Sequence, residues 1–349
     1  MPANLLRQML SGLGMTQIRH VSAVPVGRAS GLLSRVYQQM GDDFGVVAPP
    51  IALHAAAPDV LAAAWLLLRE TLIVPGQASR VAKEAVATAV SAGNACPYCA
   101  MIHNSALAVL GPVQGDDSTT GDPWLDEVVE WVLSVDRLDA PGTQPFPAAQ
   151  LPELAGVAVL LHYLNRVVNV FLREVPLPPG VPEFALSPVL RLLGRSMAAA
   201  ARRPHSPGAA LALLPPADLP ADLPWAVGND TVAQAYARAC ATIDAAGRRS
   251  VPVSVRELVG EQLAQWHAGP RGVSRAWVEE LVVSVEPENR PMARLALLVA
   301  FASYQVDPAV IENCRRFGVD DRSLIESSAW AAMAAARRVG GLLPTHWPG

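Results

Sequence analysis

At 349 residues the chain is long enough for two units of ordinary domain size. It is 51% hydrophobic but only 5% aromatic, and its mean hydropathy is +0.26; the apolar mass is mainly Ala, Leu and Val, and Ala and Leu favour closely packed helices. A formal net charge of −4 with no basic tract argues against nucleic-acid binding.

Residues 1–30 read as a loosely docked lead-in. A short helical pattern follows over 32–40, with Leu33, Val36 and Tyr37 on one face, and GDDFGVVAPP turns the chain. The run 57–73 is apolar on most faces, which predicts a covered helix. Two stretches approach the length of a membrane span, 60–74 and 154–172. Arg69 and Glu70 interrupt the first, and His162, Asn165 and Arg166 the second, whereas a span needs roughly 18 or more clean apolar residues. The N-terminus lacks the layout of a secretion signal. The expectation is a cytoplasmic protein with no membrane segment. Four cysteines are too few there for a disulfide framework, so a C-x-x-C reads as redox or metal chemistry.

Ser79 is a fitting N-cap for a helix over about 80–92, whose polar face carries Glu84, Thr88 and Ser91. Gly93 breaks that helix. Asn94 is placed to cap the next one, and Pro97 suits its first turn. That helix runs to about Leu110 and stops at Gly111-Pro112. A loop over 113–122, a helix over 123–135, a Pro/Gly loop, a long helix over 152–174 and a helix over 188–203 complete a first unit, 1–203. The proline-rich stretch 204–227 reads as an extended linker to a second unit, 228–349. Helices are predicted there over about 230–246, 253–267, 274–285, 291–304, 308–316 and 321–341. No segment alternates with a period of two, so the fold class is all-α.

The two halves show a faint internal repeat. Laying 290–318 over the stretch that begins at Arg80 places Arg294 on Glu84, Val306 on Cys96, Ala309 on Cys99 and Asn313 on His103. The second copy lacks every residue with redox chemistry, so one unit works and the other supports it.

The chemistry therefore concentrates in 79–111. On one helix Cys96 and Cys99 are i, i+3 neighbours, with Cα atoms roughly 5 Å apart, within disulfide range. His103 is one turn beyond Cys99. A free cysteine is mostly protonated at neutral pH; the helix N-terminus beside Cys96 and the imidazole of His103 are both expected to favour the thiolate. Glu84, on the preceding helix, is placed to orient His103, completing a nucleophile, base and orienter. Other readings of the same residues stay open. The cysteines suit a core as small hydrophobes, and Cys96, Cys99, His103 and Glu84 are also a conceivable zinc set, although structural zinc usually draws on two separated knuckles. His54 and His162 are candidate pocket residues that fit core or capping roles better. Cys240 and Cys314 read as inert core residues. No nicotinamide, flavin or haem fingerprint is visible, so no cofactor is expected.

Glu84, eleven residues, Cys96-Pro-Tyr-Cys99, three residues, His103 resembles the signature of the AhpD-like alkylhydroperoxidases in the carboxymuconolactone decarboxylase superfamily. The resemblance is strongest over about 40–110. It implies an all-helical, homo-oligomeric protein, sometimes with two units in one chain. It implies that Cys99 attacks a hydroperoxide, that Cys96 donates a proton and then closes the disulfide, and that His103 and Glu84 relay the proton. A lipoyl or thioredoxin-like dithiol would restore the pair. Tyr98 departs from the pattern, since the best-studied members carry a histidine there that assists the relay; a phenol is a poor base at neutral pH. Two rivals follow: a decarboxylase or lactone-processing enzyme of the superfamily, which needs no cysteine pair, and a non-catalytic redox sensor.

Overall fold

Apart from one isolated antiparallel bridge between Ile18 and Leu172, the regular structure is helical throughout the described residues, so the chain is all-α. The computed structural model describes residues 11–110, 122–136, 144–177, 180–269 and 271–343. Nearly all of the loop expected at 113–122, and the start of the lead-in, lie outside them.

Helix α1 (Gly31–Asp43) buries Leu33, Val36, Tyr37 and Met40, the face its spacing predicts. Helix α2 (Pro58–Leu67) is buried on all sides and widens into a π-helical turn, Leu68–Ile73. That turn contains Arg69 and Glu70, both buried. Arg69 pairs with Asp43 at 2.5 Å and with Glu70 at 2.6 Å. It also donates to the Ser206 carbonyl at 3.0 Å, while Glu70 accepts from the Gly208 amide at 2.8 Å. Buried charges need such partners, and the backbone of the proline-rich stretch supplies them. That stretch is accordingly docked rather than an extended tether: His205, Ala210, Leu214, Leu223 and Trp225 are buried. The Trp225 ring meets Tyr236 edge-on at 4.8 Å.

Helix α3 (Arg80–Gly93) starts where predicted, with the Ser79 hydroxyl accepting from the Ala82 amide at 3.1 Å. Helix α4 (Pro97–Leu110) follows after a tight reversal. In that reversal the Cys96 amide donates back to the Ser91 carbonyl at 3.0 Å, and Ala95 takes the left-handed conformation, φ +49°. This is the Schellman way of ending a helix, performed by alanine instead of glycine. Helix α5 (Pro123–Leu133) precedes the central helix α6 (Leu151–Phe171). By length and composition the segment Ala148–Phe171 would pass for a membrane span, but 89% of its apolar window is buried inside the protein, which makes it a core helix. Helix α7 (Leu186–Ala201) crosses α4 closely. A Cβ at Gly194 would stand 2.5 Å from the Ser105 carbonyl oxygen, so only glycine permits that approach.

The second half contains α8 (Asp230–Ser250), α9 (Val253–Ala264), α10 (Ala276–Val282), α11 (Arg290–Ala302), α12 (Pro308–Arg316) and α13 (Asp321–Gly340). One continuous hydrophobic core joins the halves, with α8 against α2 and α13 along α6. The polar residues of α6 serve this junction. Arg166 Nε donates to the Ala300 carbonyl at 3.0 Å and Asn169 Nδ2 to Ser303 Oγ at 3.0 Å. Cys240 and Cys314 are buried in the core, where burial pushes their thiols up to about 12 and about 11.

The lead-in departs from expectation. Its described part is a strap bonded across the end of α6. The Arg19 amide donates to the Phe171 carbonyl at 2.9 Å, and the Arg19 guanidinium to the carbonyls of Val170 at 3.0 Å and Asn169 at 2.7 Å. A buried helix end leaves carbonyls without partners, and Arg19 satisfies them.

Candidate active site

The reversal between α3 and α4 sets the site. Cys96 supplies the carbonyl that accepts the Ala100 amide at 3.0 Å, so it occupies the N-terminal boundary of α4. Cys99 lies one turn in and His103 one turn beyond that. Both cysteines are free thiols and buried, at 1% and 4% exposure. The two thiols lie close enough to influence each other's ionisation.

Glu84 is fully buried on α3, not solvated as its neighbour Lys83 would suggest. Its Oε2 accepts from His103 Nδ1 at 2.7 Å. Its Oε1 accepts from Arg80 Nε at 2.8 Å. Burial works against the charge on Glu84, but Arg80 and then His103 outweigh it and hold the carboxyl below its usual range. Lys83 is itself turned inward, where its ammonium meets Glu153 at 2.9 Å and the Val74 carbonyl at 3.0 Å. This buried pair ties α3 to α6. Glu153 also accepts the Gln77 amide at 2.8 Å, close enough to Gly76 that a Cβ there would fall 2.1 Å from the carboxylate.

Cys99, Tyr98 and His103 open on one cavity of about 290 Å³, walled by Leu161 and Leu164 of α6 and by Leu193 of α7. Cys96 and Glu84 are not among its lining residues. No direct hydrogen bond joins His103 to the Cys99 sulfur; both line the cavity, one turn apart on α4. The thiol departs from expectation in sign. The neighbouring Cys96 and then burial push Cys99 well up, where the helix N-terminus and His103 were expected to bring it down. Burial likewise pushes the Tyr98 phenol up, so Tyr98 faces the cavity as a donor and not as a base.

No protein-family model matches the chain. It is 33% identical over 333 residues to Alkyl hydroperoxide reductase Rv2159c of Mycobacterium tuberculosis (strain ATCC 25618 / H37Rv), a match that covers 93% of this chain and 95% of that protein. The chain belongs to this alkyl hydroperoxide reductase family.

Within this family member, the two other candidate pocket residues lie elsewhere. His54 is fully buried and does not line the cavity; its Nδ1 contacts the Ile51 carbonyl at 3.1 Å and its Nε2 the Tyr163 hydroxyl at 2.9 Å. Burial brings it down to about 4, so it is a neutral core histidine. His162 sits behind the dithiol turn, 3.0 Å from the side-chain amide of Asn94. Asn94 is thus engaged with α6 and does not cap α4. Arg80 is the site residue that sequence reasoning passed over. Its position four residues before Glu84, on the same helical face, was the available signal. Among the described residues no group of three or more His, Cys, Asp and Glu is arranged for a metal, and both Glu84 oxygens are taken by Arg80 and His103.

Proposed function

We propose that this reductase is an AhpD-like dithiol hydroperoxidase. The Cys99 thiolate attacks the terminal oxygen of a hydroperoxide. The O–O bond breaks, an alcohol leaves with a proton from the relay, and Cys99 becomes a sulfenic acid. Cys96 then attacks that sulfur, releasing water and closing the Cys96–Cys99 disulfide. An external dithiol of the lipoyl or thioredoxin type takes up the oxidation and restores both thiols. His103 receives the Cys99 proton through a water or through the substrate oxygen, and Glu84 stabilises the resulting imidazolium.

The observation that carries this reading is the sorting of the four residues. Cys99 and His103 face the cavity, where an attacker and its base belong, while Cys96 and Glu84 stand behind them as resolver and orienter. Cys96 and burial hold the resting Cys99 thiol up, so transfer of its proton to His103 accompanies the attack. The test is steady-state peroxide consumption with a supplied dithiol. Turnover that Cys99→Ser abolishes, and that Cys96→Ser limits to one equivalent with a sulfenic acid seen by mass spectrometry, supports the reading. A single stoichiometric oxidation in the unaltered protein, without turnover, favours the sensor, and undiminished activity in Cys99→Ser excludes thiol catalysis.

Two tandem units, with the second degenerate, also belong to this proposal. Arg294, Ala309 and Asn313, the counterparts of Glu84, Cys99 and His103, share the lining of a second, polar cavity of about 360 Å³. Arg294 there makes a two-point pair with Glu279, at 2.7 Å on each arm. The shared geometry supports a duplicated unit whose site has been refitted with structural ion pairs. A homo-oligomeric state and a cytoplasmic location complete the proposal.

A further inference from the structure

The second cavity, of about 360 Å³, is charged where the one in front of Cys99 is apolar. Three arginines line it, Arg275, Arg294 and Arg316, against two carboxylates, Glu279 and Asp307. The two acids are not equivalent. Asp307 is fixed twice: its Oδ2 accepts from Arg275 at 2.8 Å, and its Oδ1 caps α12 by accepting the Val310 amide at 3.1 Å. Glu279 is held only by its two-point pair with Arg294, and its side chain is 56% exposed against 22% for the arginine. An ion pair so open to water contributes little, because solvent screens it and two long side chains must be kept in one geometry. The Arg294 fork is the better covered half, and it is already set to hold a planar carboxylate at two points. Asn313, half-buried, and Arg316, exposed, also line the cavity, and among the described residues neither has a hydrogen-bond or ion-pair partner. Val278, Leu298 and Val310, all buried, give the same cavity an aliphatic wall.

We propose that this second cavity is a binding site for a short aliphatic diacid, one carboxylate of which takes the place of Glu279 on the Arg294 fork while the other meets Asn313 and Arg316. The exchange conserves pairing. Glu279 turns out to water, where it already mostly stands, and the ligand makes the same two bonds to Arg294 in a better covered place. With Glu279 withdrawn, the lining carries two positive charges in excess, which favours a dianion over a monoanion. The space of about 360 Å³, at roughly 30 Å³ for each water-sized group, admits a diacid of about four to six carbons. Its methylenes gain from the aliphatic wall, whereas inorganic phosphate brings charge without carbon and gains nothing there. Neither Cys96 nor Cys99 lines this cavity, so the site stands whether or not the dithiol reduces peroxides.

Glutarate is titrated into the full chain by calorimetry, with ionic strength held constant by sodium chloride. Saturable binding of a single glutarate per chain is expected, with butyrate and inorganic phosphate weaker by about fivefold or more and no binding of the neutral glutaramide. The thermal midpoint of the chain rises with glutarate in parallel. Glu279→Gln separates displacement from mere contact. It removes the internal competitor and tightens glutarate about threefold, the worth of an exposed ion pair, whereas loss of a supporting residue would only weaken binding. Arg294→Gln weakens glutarate at least about tenfold, the low end of what hydrogen bonds to a charged group contribute. Arg316→Gln, on an exposed side chain, weakens it about threefold and keeps the contact testable if Arg294→Gln does not fold. The proposal is overturned by the absence of saturable binding, by equal binding of glutaramide or phosphate, or by an affinity that Glu279→Gln leaves unchanged or lowers.

Discussion

Replacing Glu84 by Gln isolates the charge of the relay from its geometry. The amide oxygen can still accept the proton on His103 Nδ1, now 2.7 Å from Glu84 Oε2, so the ring keeps its orientation. What disappears is the anion that, in the proposed relay, stabilises the imidazolium formed when Cys99 gives up its proton. Arg80 already draws on the other carboxylate oxygen at 2.8 Å, so only part of the charge serves His103. The expected result is a fall of about tenfold in kcat/KM at neutral pH, the low end of what a hydrogen bond to a charged group contributes. Arg80→Gln is the complementary perturbation. It removes the competing cation and leaves the carboxylate to His103 alone, so the rate holds or rises. The assay is hydroperoxide consumption under a saturating dithiol, with the fold checked by circular dichroism. Rates of Glu84→Gln within twofold of the unaltered protein would refute the relay. So would an equal fall in both variants.

Three further outcomes follow from the packing. The Cys99 thiol is held up by Cys96 and burial, so alkylation of the resting protein by iodoacetamide at pH 7 is expected at under a tenth of the rate of a free cysteine; a fast reaction at Cys99, read by peptide mass spectrometry, would contradict this. His54 titrates at about 4 in the fold against 6.5 outside it, so between those values the unfolded chain binds the extra proton. Its contribution is whole above pH 6.5 and is lost as pH falls toward 4, reaching about 3 kcal/mol; urea unfolding at pH 7.5 and 4.5 measures it, and His54→Gln should lose that part of the slope. At Ala95, where φ is +49°, Ala95→Gly should stabilise the reversal by up to about 1 kcal/mol, while Gly76→Ala, which drives a methyl into Glu153, should lower the thermal midpoint.

The all-α fold was legible because helix length, caps and apolar faces are local properties. Ser79 caps α3 as its residue type suggests, and Leu33, Val36 and Tyr37 fall on the buried face of α1. The spacing from Glu84 to His103 was legible for the same reason. Burial was not, because it depends on what covers a helix. Glu84 and Lys83 are neighbours that resemble a solvated pair, and α3 buries both, each with a separate partner from a different part of the chain. Asn94 has the residue type of a cap but meets His162, 68 residues away in sequence. The proline-rich stretch looked like a tether because its prolines are visible, whereas the buried Arg69 and Glu70 that fix it belong to α2. The thiol was misjudged in sign because a helix N-terminus can be counted from sequence, but desolvation by the surrounding helices cannot.

The distribution of polar groups along α6 explains why the second half stays attached to a site it does not enter. Asn169 uses one amide group for two purposes: its Nδ2 donates to Ser303 Oγ at 3.0 Å and to the Asn94 carbonyl at 3.2 Å. Asn94 begins the reversal that places Cys96 at the end of α4. Arg166 bridges in the same way, from the Ala300 carbonyl at 3.0 Å to the His162 carbonyl at 2.7 Å, and Asn94 lies beside His162. The Ala300 carbonyl near the end of α11 and the Ser303 hydroxyl just beyond it therefore complete the partners of the polar residues that brace the dithiol turn. Without the second half, Arg166 and Asn169 would each lose a partner on a helix that is otherwise almost wholly buried, a costly arrangement. The second half, which lends no thiol to the cavity, closes the hydrogen bonding behind Cys96 and Cys99.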